Sequence, residues 1–276
     1  MEKNFSIKNK QITCTLEGDP DNPPIIMIHD FTSHRGVWRQ TIAALSQKYY
    51  CVAVDLLGFG ASDKPESGDY SLSAQANRIL MLADQLGFKK FSLIGHSMGG
   101  QIACYVASVT APQRVEKLVS VNGIMTGRLS AQIEKVTIPV VSKARTWTWL
   151  YKLGGTFVNF RPYANYAFKQ WFYDFKNYPF KAWEVDRLAA YNPACAISSD
   201  ESFKAIRALD LTPQLRKIRA KTLIIAGKQD GTVPLDQALL AQTLIPNNDL
   251  ALIEKCGHYP MYEKTGNYLK ALALIF

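Results

Sequence analysis

The strongest constraint on the fold is the stretch from Phe91 to Ala107, where an apolar run breaks at Gly95-His96-Ser97-Met98-Gly99-Gly100 and then resumes. The run before the break predicts a buried strand, and the apolar residues after it predict a helix. A serine in so tight a strand-to-helix turn is held in strained backbone geometry, with small neighbours where the two elements nearly touch. Ser97 is therefore the candidate nucleophile, and the alternative is a close-packing turn with an idle serine.

Strand-like and helix-like segments alternate on both sides of this stretch. Continuous apolar runs are typical of parallel strands that are covered on both faces, and spacings of three and four are typical of the helices between them. The pattern predicts an α/β fold with a doubly wound, mostly parallel sheet and its ligand site at the carboxyl ends of the strands. The expected elements are a hairpin over 5–16, strands at 25–29, 50–54, 118–121, 222–226 and 250–253, and helices at 37–47, 72–86 and 235–244, with a last helix toward residue 276.

One segment interrupts the alternation. Residues 126–205 carry no strand signal, and 16 of the chain's 31 aromatic residues lie between Trp147 and Tyr191. The net charge of +9 is concentrated in and just after this segment, because residues 126–219 hold 15 Lys and Arg against 7 Asp and Glu. We expect residues 1–125 and 206–276 to form the core and residues 126–205 to form a helical cap inserted after the sixth core strand.

Composition excludes several classes of protein. The first residues contain no apolar run of signal-peptide length, so a cytoplasmic location is expected. The five cysteines are scattered without close pairs, which predicts reduced thiols in the core and no metal site. The basic excess either steers anionic substrates, docks the cap peripherally on an anionic membrane or is a solvated face. No recognition motif accompanies it, so nucleic acid is not expected as a partner.

Several motifs in order resemble those of the α/β-hydrolase family, in particular its serine esterases and lipases with a helical cap. Gly95 to Gly100 matches the nucleophile elbow, and Asp55-Leu56-Leu57-Gly58-Phe59-Gly60 resembles the loop after the preceding strand. Gly227-Lys228-Gln229-Asp230 is similar to the turn that carries the acid, and Gly257-His258-Tyr259-Pro260 to the loop that carries the histidine. The resemblance covers the two core segments and leaves the cap unmatched.

A serine hydroxyl needs a base to take its proton, and four histidines are available. His29 precedes the family's oxyanion motif, His34 lies in a polar loop, and His96 occupies the variable elbow position. His258 follows the final strand, in the family's order of serine, acid and histidine, and is the predicted base.

The carboxylate that orients the base should end a neighbouring strand, and Asp230 follows residues 222–226 directly. Its alternative role is to form an Asp-Gly turn. Asp55 also ends a strand, but the Gly58-x-Gly60 loop after it indicates a structural role. That loop lacks the third glycine of a dinucleotide fingerprint, so no nicotinamide cofactor is expected, nor any other cofactor.

The resemblance assigns the two backbone donors of the oxyanion hole to Met98 and to Phe31. The family usually has glycine after the histidine of the second loop, whereas this chain has Asp30. The carboxylate either lies near the oxyanion and weakens catalysis or points away into a turn.

The predicted function is hydrolysis of carboxylic esters with an apolar acyl or aryl group, through an acyl-enzyme on Ser97. The alternatives are lactone opening, carbon–carbon bond hydrolysis, cofactor-free perhydrolysis and a non-catalytic ligand receptor. Carbon–carbon hydrolases commonly have Asn before the nucleophile and Trp after the histidine, where this chain has His96 and Tyr259. The cap aromatics, such as Trp147, Trp149 and Trp171, either line a substrate slot or only pack the cap.

Overall fold

The computed structural model describes residues 1–137 and 192–276 and, between them, residues 139, 149, 153, 156–157, 160, 162, 165, 170–174 and 188–189. Eight strands form one sheet: β1 (Glu2–Ile7), β2 (Lys10–Glu17), β3 (Pro24–Ile28), β4 (Tyr50–Val54), β5 (Phe91–His96), β6 (Val115–Val121), β7 (Lys221–Gly227) and β8 (Asn248–Ile253). The order across the sheet is β1-β2-β4-β3-β5-β6-β7-β8. Only β1 with β2, and β2 with β4, pair antiparallel.

The described helices are α1 (Arg39–Leu45), α2 (Leu72–Gln85), α3 (Met98–Tyr105), α4 (Ala196–Ala208), α5 (Thr212–Leu215), α6 (Asp236–Leu244), α7 (Pro260–Glu263) and α8 (Thr265–Leu272). A 3-10 turn, Arg35–Trp38, precedes α1, so the α-helix predicted from residue 37 begins two residues later. The 3-10 turn has a local cause, because the His34 side chain caps it by accepting a hydrogen bond from the Gly36 N–H. The N-terminal hairpin and the alternating strands and helices are confirmed.

Burial follows the apolar runs that predicted the parallel strands. Every residue of β4 and β5 is buried, as both faces of the central sheet are covered. All five cysteines are buried and free. Burial raises the pKa of Cys195 to about 11 and that of Cys104 to about 12, so neither thiol is ionised near neutral pH.

The fold class is confirmed as α/β with a mostly parallel sheet. Within residues 126–205 the described residues contain no strand. The division into core and cap stays a prediction, and α4 runs through its boundary at residue 205. In the part of the chain that the structure describes, no helix combines the length and apolarity needed to cross a bilayer.

Candidate active site

The end of β5 places Ser97 in a strained turn. Its backbone has φ 54° and ψ −115°, a conformation that costs energy for any residue with a Cβ. A Cβ at Gly95 would lie 2.2 Å from the Gly99 carbonyl oxygen, and one at Gly99 would lie 2.1 Å from the Ile28 carbonyl oxygen. Glycine is therefore required at both positions, since strand, helix and neighbouring strand come within contact distance of one another.

Asp230 and His258 form a buried pair. The Nδ1–H of His258 donates to Asp230 Oδ2 at 2.7 Å. The other carboxylate oxygen accepts the backbone N–H groups of Thr232 at 2.7 Å and Val233 at 3.1 Å. With both oxygens engaged, the carboxylate is fixed and orients the imidazole. Because Nδ1 carries the hydrogen, Nε2 has the lone pair that a general base needs.

The His258 ring lies next to the turn that carries Ser97. The ring of His96, the residue before Ser97, is 4.7 Å from the His258 ring between centroids. Among the described residues no hydrogen bond joins Ser97 Oγ to His258. Catalytic hydrogen bonds of this kind are often long in a free enzyme and tighten when substrate binds.

The two residues to which the oxyanion donors were assigned lie at the start of α3 (Met98) and in the loop after β3 (Phe31). Met98 opens α3, where the first amides of a helix have no partner within the helix. The Phe31 ring packs against Phe203 with centroids 3.9 Å apart. The assignment of these two N–H groups to an oxyanion hole stays a prediction.

Asp30 does not point into a turn. Its carboxylate is buried in the interior, where the Tyr259 hydroxyl donates to Oδ2 at 2.5 Å and His96 Nδ1 lies 3.3 Å from Oδ1. Burial alone would raise the pKa of Asp30, but His96 and the Tyr259 hydrogen bond outweigh it and hold this pKa well below its usual range. The carboxylate is therefore ionised at neutral pH.

The two remaining histidines have structural contacts. His29 Nδ1–H donates to the Asp30 carbonyl at 2.6 Å, and its Nε2 accepts the Leu56 N–H at 3.0 Å. Burial lowers the pKa of His29, which keeps the ring neutral and suited to those two roles. His34 caps the turn before α1 through the Gly36 amide.

Asp55 closes the loop after β4. Its carboxylate accepts the Arg35 N–H at 2.6 Å and the Ala61 N–H at 2.8 Å, and it pairs with the Arg35 guanidinium. Gly60 has φ 53°, and a Cβ there would meet the Asp55 carboxylate. These contacts agree with the structural role that the glycines of this loop indicated.

A short described segment of the predicted cap, residues 170–174, lies on the loop that carries His258. The His258 N–H donates to the Trp171 carbonyl at 2.8 Å. The Glu263 carboxylate accepts the N–H groups of Gly257 at 2.6 Å and Asp174 at 2.8 Å, which joins the two segments. Burial raises the pKa of Glu263 despite these hydrogen bonds. No sequence signal indicated that the cap would touch the base loop.

The three cap tryptophans differ in position. Trp171 is half-buried, and its ring lies 5.9 Å from the Tyr259 ring between centroids. Trp149 is 63% exposed. Trp147 lies outside the described residues. The structure therefore places Trp171 beside the loop that carries His258.

A cleft of about 480 Å³ among the described residues does not include Ser97 or His258. It opens between the loops after β3 and β4 and residues 188–189 and 192–195, and the Arg35 guanidinium on its wall already pairs with Asp55 and Glu2. Among the described residues no group of three or more His, Cys, Asp or Glu side chains is arranged to hold a metal ion.

Comparison with known proteins identifies the family of this fold. The family model for the alpha/beta hydrolase fold matches residues 23–265. This chain belongs to the α/β-hydrolase fold family. Its elbow, acid turn and histidine loop thus lie in the order that the family uses for serine, acid and histidine.

Relatives within the family carry out different reactions. The chain is 26% identical over 254 residues to a pimeloyl-[acyl-carrier protein] methyl ester esterase of Nitrosomonas europaea, covering 89% of this chain and 92% of that protein. It is 25% identical over 259 residues to a 2-hydroxy-6-oxo-2,4-heptadienoate hydrolase of Pseudomonas putida, covering 90% of this chain and 86% of that one. The crystal structure of a membrane phospholipase A is 26% identical, with a TM-score of 0.79, and the match covers 99% of this chain and 86% of that one.

Proposed function

We propose that this chain is a serine hydrolase that cleaves carboxylic esters through an acyl-enzyme. Ser97 is the nucleophile, His258 the general base and Asp230 the carboxylate that orients it. The backbone N–H groups of Phe31 and Met98 form the oxyanion hole. The observation that carries this proposal is the buried His258–Asp230 hydrogen bond of 2.7 Å next to a serine with a φ of 54°.

In the first half-reaction Ser97 Oγ attacks the ester carbonyl carbon while its proton passes to His258 Nε2. The resulting oxyanion accepts hydrogen bonds from Phe31 and Met98, which are in place before charge develops. When the tetrahedral intermediate collapses, the C–O bond breaks and the alcohol leaves with the proton from His258. Water then attacks the acyl-enzyme by the same sequence, which releases the acid and restores Ser97.

The names of the relatives do not discriminate between ester hydrolysis and carbon–carbon bond hydrolysis, because both activities occur among them. The residues around the candidate site favour the ester. Carbon–carbon hydrolases commonly have Asn and Trp at the positions of His96 and Tyr259. Here both side chains contact Asp30, so a different set of interactions fills that part of the site.

The substrate class follows from the predicted cap. We propose that residues 126–205 cover Ser97 and that their aromatic side chains form an apolar slot for the acyl group, with Trp171 as one wall. The phospholipase among the relatives acts on an ester of a lipid, which is a substrate with such an acyl group. The basic excess of residues 126–219 also suits an anionic surface or substrate.

The experiment combines covalent labelling with a product burst. A fluorophosphonate should add one label at Ser97, found by intact mass and peptide mapping, and Ser97→Ala should not be labelled. A p-nitrophenyl ester should release p-nitrophenol in a burst equal to the enzyme concentration when deacylation is slow. Carbon–carbon cleavage of a 2-hydroxy-6-oxo-dienoate without ester turnover would replace the ester by that alternative. A label elsewhere would remove Ser97 as the nucleophile.

A further inference from the structure

Three buried side chains beside the candidate site take no part in the proposed reaction. Asp30 follows β3, His96 ends β5 and Tyr259 follows β8, and each is at most 3% exposed. Tyr259 and His96 both contact the Asp30 carboxylate, at 2.5 Å and 3.3 Å. His96 Nε2 lies 2.7 Å from the carbonyl oxygen of His258. Three loops that are distant in sequence thus meet at one carboxylate.

One hydrogen bond fixes the position of a proton on His96. A carbonyl oxygen only accepts, so His96 Nε2 carries a hydrogen and donates it to His258. The other nitrogen, Nδ1, lies 3.3 Å from Asp30 Oδ1, and neither atom forms a hydrogen bond with the other or with any other described residue.

Each member of this cluster is the chain neighbour of one proposed catalytic group. Asp30 precedes Phe31, His96 precedes Ser97, and Tyr259 follows His258. The His258 carbonyl is held by His96 and also by Asn122 Nδ2, at 2.8 Å. A shift in the cluster would therefore displace the oxyanion donor, the nucleophile and the base relative to one another.

Stability does not explain such a cluster. Removing charges from water costs about as much as their attraction returns, and apolar residues of similar volume stabilise a core equally well or better. What the hydrogen bonds from Tyr259 to Asp30 and from His96 to the His258 carbonyl supply is a defined geometry, because their distances and directions are restricted. Errors of about 1 Å in a catalytic site lower rates by about a hundredfold.

We propose that Asp30, His96 and Tyr259 are positioning residues that hold the oxyanion loop, the nucleophile turn and the base loop in register. This inference rests on the proposed function for its kinetic test. It also explains the departure of this chain from the family pattern, since the carboxylate at the usual glycine position is used to join the three loops.

Tyr259→Phe tests the proposal with the smallest change. It removes one oxygen and keeps the ring, which stacks on Phe172 with centroids 5.6 Å apart. Tyr262→Phe is the matched control, because the same atom is removed three residues later, where the hydroxyl accepts from Arg39 at 2.7 Å. We expect Tyr259→Phe to lower kcat about tenfold with KM within about twofold, and Tyr262→Phe to match the wild type. Equal kcat for the two variants, or a change in KM alone, overturns the proposal.

A double-mutant cycle tests whether the residues act as one unit. Asp30→Ala removes both contacts of the carboxylate and should lower kcat about a hundredfold. Adding Tyr259→Phe to Asp30→Ala should change kcat by less than about twofold, because its partner is already gone. Multiplicative losses would show independent roles and overturn the proposal. Should Asp30→Ala fail to fold, Tyr259→Phe and its control decide the question.

Amide hydrogen exchange provides a test that needs no activity. The peptide covering residues 256–262 should exchange about tenfold faster in Tyr259→Phe than in Tyr262→Phe, because the base loop loses one of its anchors. If the wild type neither hydrolyses esters nor takes a label at Ser97, the proposed function fails and this comparison still tests the positioning role. Equal exchange in the two variants shows that the cluster does not hold the loop.

Discussion

Two buried His–Asp pairs lie side by side in this molecule, with their imidazole rings 4.7 Å apart between centroids. His258 Nδ1 is 2.7 Å from Asp230, and His96 Nδ1 is 3.3 Å from Asp30. The two pairs differ in the hydrogen bonding of the second ring nitrogen of the histidine, Nε2. In His96 that nitrogen donates to the His258 carbonyl, so it has no lone pair to accept a proton from Ser97. In His258 the lone pair of Nε2 remains for proton transfer.

The surroundings of the two pairs differ as well. Asp230 accepts two backbone N–H groups of its own turn, so the carboxylate is held by local hydrogen bonds. Asp30 accepts a hydroxyl from a loop that is 229 residues away in the chain. A pair held locally suits a group that gives and takes protons, and a pair held by distant loops suits a group that fixes their relative positions. The comparison teaches that residue type alone does not identify a catalytic dyad.

Removing the two histidines should separate the pairs most clearly. His258→Ala should lower kcat/KM about a million-fold, because the nucleophile loses its base. His96→Gln keeps an N–H that reaches the His258 carbonyl and should lower it by less than about a hundredfold. Both are measured with one p-nitrophenyl ester on correctly folded protein. If His96→Gln lost as much as His258→Ala, the assignment of the base would be wrong.

Removing the two carboxylates gives the next largest contrast. Asp230→Asn should lower kcat about ten-thousand-fold, since an amide in this position favours the wrong tautomer of His258. Asp30→Asn should lower kcat about a hundredfold or less, because it shifts the positions of the catalytic groups and leaves the tautomer of His258 unchanged. Single-turnover acylation is the measurement, because it excludes product release. An Asp230→Asn enzyme with most of its activity would move the acid to another strand end.

Much of the core could be predicted from the sequence because local patterns determine it. The apolar runs of β3, β4 and β5 and the glycines around Ser97 predicted buried strands and a close-packed turn, and both are present. Asp230 and His258 were predicted as a pair from their strand ends, and they are hydrogen-bonded. Their catalytic roles, and those of Phe31 and Met98, stay predictions.

The contacts across loops could not be predicted. In the sequence, Asp30 was notable only because the family usually has glycine at this position. Nothing in the sequence connected Asp30 with Tyr259 or with His96. Asn122, which donates to the His258 carbonyl and accepts the Gly227 N–H at 2.8 Å, gave no signal at all. Such contacts depend on how strand ends converge in three dimensions, and a residue's spacing along the chain does not contain that information.

The contact between Asp30 and His96 should also change how the free energy of unfolding depends on pH at low pH. The folded-state pKa of Asp30 is held below its unfolded value of about 3.9, so folding releases protons that the unfolded chain binds. The contribution is present above about pH 4 and is lost as the pH falls toward the folded-state pKa. In urea unfolding between pH 5 and pH 3, the wild type should lose stability faster than Asp30→Asn. The slopes should differ by up to about 1.4 kcal/mol per pH unit, the value for one proton. Parallel curves would show that folding does not lower the pKa of Asp30.

The smallest expected effect separates positioning from substrate contact. Asp30→Asn should lower kcat/KM for acetate, butyrate, hexanoate and octanoate esters by one common factor, because the relative positions of the three loops do not depend on the acyl chain. Trp171→Ala should instead change the dependence on chain length. Its side chain lies beside Tyr259, while the carbonyl that binds the His258 N–H is unaltered. An apolar slot contributes up to about 0.8 kcal/mol per buried methylene, or roughly fourfold in kcat/KM, and part of this increment should be lost in Trp171→Ala.

Repeating the series at 1 M salt removes steering by Lys and Arg, since the Debye length falls to about 3 Å, and leaves apolar contacts intact. A wild-type series that is flat within about twofold at both salts would contradict the acyl slot and restrict the cap aromatics to packing.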